Sequence, residues 1–253
     1  MMFSNYHTHT CFCDGSDSPE ELVLEAIRLG CPEIGFSGHS FLPGQNWCMT
    51  ETGTLEYCDE IHRLQTKYKD NIKVRLGIEQ DIRSEIDRSR FEYIIGAVHY
   101  VPKNGRFYSV DESRESFIRA VNEAWAGDYY AFAEDYYTQV ADMWDITRCA
   151  VVAHFDLLTK YNEGQCLFRT DHPRYMAAAD QALDRLIQSP CLMEINTGAI
   201  ARGYRTEAYP EKRIVECWLS AGKELLLSAD CHQKSMLLCC FEKYQHLPHR
   251  EVL

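Results

Sequence analysis

Short apolar runs alternate along this chain with longer amphipathic ones, and the alternation predicts its elements. Strand-length runs lie at 33–38, 73–77, 93–98, 150–153, 191–195 and 224–228, and residues 5–9 read as a further strand ahead of them. Between these runs the apolar residues take helical spacing. Ser18, Pro19 and Glu21 form a capping box with proline at the first helical position, and Gly30 suits the matching C-terminal cap. Helices are predicted at 54–69, 113–126, 128–147 and 173–188, with another running from Pro210 to Gly222 and a short one near the end. Residues 40–53 read as a loop, and 101–111, with Asn104-Gly105, as a loop or hairpin.

Seven strands alternating with helices imply a parallel sheet. An open doubly wound sheet gathers its site at one crevice. Here chemistry stands at the C-terminal end of nearly every strand, which favours a closed, distorted α/β barrel. With no repeat, low-complexity stretch or dividing linker, residues 1–253 are expected to form one domain.

Composition narrows the partners. A net charge of −12 argues against nucleic acid and anionic membranes, since both need basic patches, and favours a small or cationic substrate. The 12 cysteines lack C-x-x-C spacing, the first residues are too short and polar for a signal peptide, and no run approaches a membrane span. A reduced, cytoplasmic location is the expectation, with most thiols acting as small core hydrophobes. Cys11, Cys13 and Cys231 stand beside candidate metal ligands and could bind metal or be oxidised, although packing is the more ordinary role.

The candidate chemistry is concentrated in histidine and carboxylate. Six of the ten histidines, His7, His9, His39, His99, His154 and His232, fall at predicted strand ends, accompanied by Asp14, Glu79 and Asp230. Any one of these histidines alone would more often be structural. Nine nitrogen and oxygen donors at one face exceed the four a single zinc takes, and suit two or three divalent ions, Zn, Mn or Fe, with a carboxylate such as Glu79 bridging two. Ions about 4 Å apart activate water and stabilise a leaving oxygen, which points to hydrolysis, most naturally of a phosphate ester. The remaining histidines, His62, His172, His246 and His249, are expected in helices or loops.

With these residues in view, the chain resembles the PHP (polymerase and histidinol phosphatase) family. The motifs are His7-x-His9, Gly77-Ile78-Glu79, Gly96-Ala97-Val98-His99, His154-Phe155-Asp156 and Asp230-Cys231-His232. Tyr108-Ser109-Val110-Asp111, Tyr136 to Val140, Glu194 to Gly198, Arg202-Gly203-Tyr204 and Tyr209-Pro210 resemble, more narrowly, its monofunctional histidinol-phosphatases. The resemblance implies a distorted (β/α)7 TIM-like barrel with a trinuclear site. It assigns His7, His9, Glu79 and Asp230 to one ion, Glu79, His99 and His154 to a second, and Asp14, His39 and His232 to a third. The family often carries aspartate immediately before the strand-two histidine, where this chain has Gly38.

The implied reaction is hydrolysis of L-histidinol phosphate in histidine synthesis, with Glu79, Asp230, His232 and Arg202 as catalytic residues. Arg202 can hold phosphate oxygens bidentately, and Lys160 and Arg205 are further candidates, each weighed against a solvated surface charge. Asp111, Tyr204 and Tyr209 could line the pocket, an acidic group suiting the amine and imidazolium of the substrate. Asp156 is expected to cap the short helix after it, or else to support a histidine ligand. Two other readings are a phosphoesterase acting on nucleotides or DNA 3′ ends, and a non-catalytic barrel that binds a partner. The acidic balance disfavours the first, and the filled ligand set disfavours the second.

Overall fold

The computed structural model describes residues 3–253. Chain order begins with α1 (Pro19–Leu29), β1 (Glu33–Phe36), α2 (Glu51–Lys67), β2 (Lys73–Asp81) and β3 (Tyr93–Ala97). The antiparallel hairpin β4 (Tyr100–Lys103) and β5 (Arg106–Ser109) follows, then α3 (Arg114–Trp125) and α4 (Tyr129–Thr147). Next come β6 (Val151–Val152), α5 (Pro173–Ile187), β7 (Leu192–Asn196) and the short α6 (Gly198–Ala201). The chain closes with α7 (Lys212–Ser220), β8 (Leu225–Ser228), α8 (Phe241–Tyr244) and β9 (His249–Arg250). Seven strands form a parallel sheet in the order β1-β2-β3-β6-β7-β8-β9, curled with helices outside it, as expected for a distorted TIM-like barrel.

The helices follow their caps. At α1 the Ser18 hydroxyl accepts from the Glu21 amide while the Glu21 carboxylate accepts from Ser18, and Gly30 takes a left-handed φ of 75°. Such reciprocal bonds satisfy two of the amides a helix start leaves free. Pro210 does not start α7 as expected. It follows a cis peptide bond, and Glu211 precedes the first helical residue, Lys212.

Strand alternation separates two cores. Ile94, Val152, Met193, Leu225 and Leu227 face the helices, whereas Tyr93, Ile95, Ala97, Val151, Ala153, Leu192 and Leu226 fill the interior of the curl. Tyr93 lies across the inner face of Gly77, where an added Cβ would collide with its ring, and its hydroxyl donates to the Tyr6 carbonyl at 2.6 Å. The same parity carries the inner face upward from Gly77 to Glu79 and Asp81, and from Leu192 to Glu194.

Residues 5–9 lie where a strand would, but they pair with their neighbours through isolated parallel bridges, Asn5 with Ile34 and Thr8 with Cys231. Side chains take over ladder positions: Asn5 Oδ1 accepts from the Ala229 amide at 3.2 Å, and Ser37 Oγ accepts from the Thr8 amide at 3.0 Å. The segment bridges the β1 side of the sheet to the chain leaving β8. The strand counted seventh by the sheet is instead β9, which pairs with the base of β8 and takes His249 out of the loop expected for it.

Candidate metal centre

All nine candidate ligands converge above the interior core. His7 and His9 leave the segment beside β1, and Glu79 stands near the end of β2. His99 and His154 follow β3 and β6, and Asp230 and His232 follow β8. His39 follows β1 and forms a parallel bridge with Glu79.

Glu79 is the hub, and is almost fully buried. Its Oε2 lies 3.4 Å from His7 Nε2 and 3.5 Å from His9 Nε2, while Oε1 lies 3.1 Å from His154 Nε2 and 3.5 Å from His99 Nε2. The two oxygens thus face different imidazoles, with His39 Nδ1 also close to Oε2. Asp230 Oδ1 stands 3.2 Å from His9 Nε2 and 3.7 Å from His7 Nε2. On the outer side, Asp14 lies 3.5 Å from His39 Nε2 through Oδ1 and 3.3 Å from His232 Nε2 through Oδ2.

These atoms fit divalent ions. Donor atoms of His7, His9 and Asp230 lie within 4.8 Å of one another, as do those of His39, Glu79 and His99, and those of His9, Asp14, His39 and His232. His7 Nε2, His9 Nε2 and Glu79 Oε2 are buried without a hydrogen-bond partner, although His39 Nδ1 sits 2.7 Å from that oxygen in a non-hydrogen-bonding orientation. Leaving a buried polar atom unpaired costs about 1–3 kcal/mol, so three together imply a further binding partner. The set is nitrogen and oxygen, as Zn, Mn or Fe accept. Burial, with His39 and His232 alongside, pushes His9 down to about 3, leaving its ring neutral and free to donate electrons. Burial alone would raise the Glu79 carboxyl, but His39, His7 and His99 outweigh it and hold Glu79 well below the usual range.

Two carboxylates that strand-end reasoning did not assign support the ligands. Glu194, fully buried, accepts from His7 Nδ1 at 2.8 Å, the His154 amide at 2.7 Å, Asn196 Nδ2 at 2.6 Å and Ser228 Oγ at 2.6 Å. Asp81 Oδ2 lies 3.1 Å from both the His99 amide and His99 Nδ1. Fixing Nδ1 in this way turns Nε2 toward an ion and raises its basicity. The signal for Asp81 is its spacing of two from Glu79, which puts both on one face of a strand.

A cavity of about 580 Å³ opens above the cluster, lined by Arg202, Lys160, Asp111, Tyr204, Trp47 and Phe107 among others. Arg202 Nη2 donates to Asp230 Oδ2 at 2.9 Å. Gly198 permits this approach, since a Cβ there would stand 2.8 Å from Asp230 Cβ and 3.0 Å from Arg202 Nη2. Lys160 Nζ donates to the Asp111 carbonyl at 2.8 Å and to its carboxylate at 3.1 Å.

Other candidates are placed elsewhere. Arg205 does not reach this cavity; it turns inward, bonds the Thr159 hydroxyl, and stacks its guanidinium 4.6 Å from the Tyr209 ring centroid. Tyr209 is buried behind it. Asp156 makes no side-chain cap; its Oδ2 accepts from the Glu211 amide at 3.0 Å instead. Cys13 Sγ lies 3.6 Å from His9 Nδ1, and burial and then Asp14 push its thiol up to about 12. Cys231 Sγ points to the Gln233 carbonyl at 2.9 Å, and Cys11 is exposed.

Comparison with known proteins follows the same lines. A histidinol-phosphatase of Lactococcus lactis is 27% identical over 244 residues, covering 90% of this chain and 83% of its own. Among solved structures, one from Listeria monocytogenes, provisionally described as a histidinol phosphatase, superposes with a TM-score of 0.82 at 20% identity, covering 95% of this chain and 99% of its own. The Lactococcus lactis histidinol phosphate phosphatase, solved with zinc, L-histidinol and phosphate, superposes with a TM-score of 0.70 at 20% identity over 96% of this chain and 91% of its own. The model of the PHP domain matches residues 5–198, from the first histidine pair through the loop after β7. With that match over most of its length, and with its strand ends gathered into one histidine–carboxylate centre, the chain belongs to the PHP domain family.

Proposed function

We propose that this chain is a metal-dependent phosphomonoesterase that hydrolyses L-histidinol phosphate to L-histidinol and phosphate, acting in the cytoplasm as one unit over residues 1–253. The observation that carries the reading is Glu79, whose Oε1 faces His99 and His154 while its Oε2 faces His7, His9 and His39, a placement that would suit a carboxylate shared between ions. The relatives named histidinol-phosphatase support the substrate. Among the described residues no helix is long and apolar enough to cross a membrane.

Two or three divalent ions, Zn, Mn or Fe, would be held by His7, His9, Glu79 and Asp230, by Glu79, His99 and His154, and by Asp14, His39 and His232. When bound, such ions supply charge neutralisation and an activated nucleophile at neutral pH. The protein's own groups do the rest. Glu194 and Asp81 hold the tautomers of His7 and His99. His232 Nδ1 lies 2.9 Å from both the Asp230 carbonyl and Arg202 Nη1. If Nδ1 gives its proton to that carbonyl, it offers Arg202 no lone pair. Arg202 Nη1 is then free for a phosphoryl oxygen while Nη2 stays on Asp230, which aims the guanidinium at the reacting group. Lys160 compensates Asp111, and the pair presents both signs of charge to a substrate that carries phosphate at one end and amine at the other. Tyr204, 43% exposed, lies under the Lys160 ammonium at 5.0 Å.

The test is phosphate release from L-histidinol phosphate against a panel of phosphomonoesters and nucleotides, using enzyme of known metal content. Wild type should prefer L-histidinol phosphate. Glu79→Ala should abolish turnover and lose metal. Arg202→Ala should keep its metal and lose about 10²–10³ in kcat, the usual cost of removing a charge-stabilising donor. Activity on nucleotides with none on L-histidinol phosphate would overturn the substrate assignment.

A further inference from the structure

Outside the metal centre, the turn before α8 places two thiols together. Neighbouring side chains on an extended chain point to opposite faces, so adjacency alone separates Cys239 from Cys240. Here Cys240 adopts φ 60° and ψ 12°, a left-handed conformation few non-glycine residues take, and the two sulfurs come to 3.5 Å. The turn is fixed on several sides. The Cys239 amide donates to the Met236 carbonyl at 3.1 Å, and the Cys240 carbonyl accepts from the Lys243 amide at 3.1 Å. Thr197 Oγ1, buried just beyond β7, donates to the Cys239 carbonyl at 2.8 Å. Phe241 is fully buried and meets Phe3 edge-on at 5.6 Å. Both sulfur-bearing residues remain partly exposed.

The separation selects the chemistry. A disulfide needs sulfurs at about 2.05 Å and Cα atoms usually at about 4.4–6.8 Å, whereas adjacent Cα atoms stand at about 3.8 Å. A bridging atom fits better. Two bonds of about 2.3 Å, the length of a zinc–thiolate bond, span about 3.5 Å at an angle of about 100°. Thiolates are soft donors and favour soft centres. We propose that Cys239 and Cys240 form a bidentate dithiol site for a soft, thiophilic centre of low coordination number, of which trivalent arsenic is the representative. With an organoarsenic oxide the step is a condensation. Two sulfur–arsenic bonds form, the arsenic–oxygen bond breaks, and both thiol protons leave with that oxygen as water, with no change in oxidation state.

The test uses the reduced, metal-loaded full-length enzyme, treated with phenylarsine oxide in excess glutathione and analysed by intact mass and peptide mapping. The expected result is a mass gain of one phenylarsenic group less two protons, located on the peptide holding Cys239 and Cys240. Glutathione should not reverse it, and a small dithiol should. Cys239→Ser and Cys240→Ser should each lose the resistant adduct while keeping phosphatase activity, which reports an intact fold. Cys11→Ser and Cys13→Ser, altering the other closely spaced cysteines, should retain it. Absence of a glutathione-resistant adduct on wild type, or its persistence in Cys239→Ser, would overturn the proposal.

Discussion

Glu194 shows how much of a candidate metal site can rest on a carboxylate that stands behind its histidines. Its two oxygens accept four hydrogen bonds, from His7, His154, Asn196 and Ser228. Glu194→Gln keeps the shape, but turns one acceptor into a donor facing donors. The expected outcome is a fall of about 10–100-fold in metal affinity, with activity recovering as metal is added. Titration of metal into the chelated variant, followed by content analysis, checks this. The strand-end candidates, which the fold does bring together, were legible in the sequence because nitrogen and oxygen donors there are chemically distinctive. Glu194 carried no such mark, since a carboxylate bonding the far side of an imidazole spells the same as one facing water. Arg205 illustrates the converse: a loop arginine near the site in sequence turns inward to Tyr209, and side-chain direction in a loop has no periodicity to read. Gly38, standing where the family often has aspartate, has its own accommodation. A Cβ there would sit 3.2 Å from the Met49 methyl carbon and 3.6 Å from Cys13 Sγ, so apolar packing occupies that side of His39.

At the scale of elements, the helices with strong caps were the most legible, because capping chemistry is local. Helix α4 runs from Tyr129 to Thr147 against an expectation of 128–147, and α5 from Pro173 to Ile187 against 173–188. Strands depended on partners the sequence does not name. Residues 5–9 have strand character but bond through Asn5 and Ser37 side chains, and β9 is a two-residue strand made only by its docking on β8. The β2–β3 pair depends on Gly77, whose bare face receives the Tyr93 ring. Gly77→Ala should push that ring against Tyr6 and destabilise the protein by about 1–3 kcal/mol, the usual cost of overpacking. A lower urea midpoint at unchanged slope would show it, whereas an unchanged midpoint would mean the strands can separate to make room.

Across the whole molecule, burial and charge set the terms on which metal enters. Burial lowers His7 and His99, but Glu194 and Glu79 respectively, with other carboxylates, outweigh it and leave both raised well above the ordinary value. His232 is likewise raised, by Asp14 and Asp230 against burial. Without metal these rings keep their protons to higher pH than a free imidazole does, and a ligand must be deprotonated to bind. Metal binding therefore releases protons, and affinity should rise with pH until the raised histidine values are passed, then level off. Calorimetry in buffers of different ionisation enthalpy would count the protons, and a pH-independent affinity would contradict this account. A closed barrel was legible from the repeat of strands and helices and from the chemistry at the strand ends, but the contacts that draw its ends together were not, because they join distant parts of the chain. Asn5 bonds the carbonyl of Leu237, 232 residues away, and Cys231 exchanges backbone hydrogen bonds with His7 and His9. Contacts of such separation form slowly, since the intervening loop must be closed first. On the ribosome the consequence is an order of events. Synthesis passes His7 and His9 more than two hundred residues before Asp230 and His232, so a nascent chain carries most of the candidate ligands before the cage that gathers them can close. Metal loading is therefore expected only after β8 and the turn beyond it have been made.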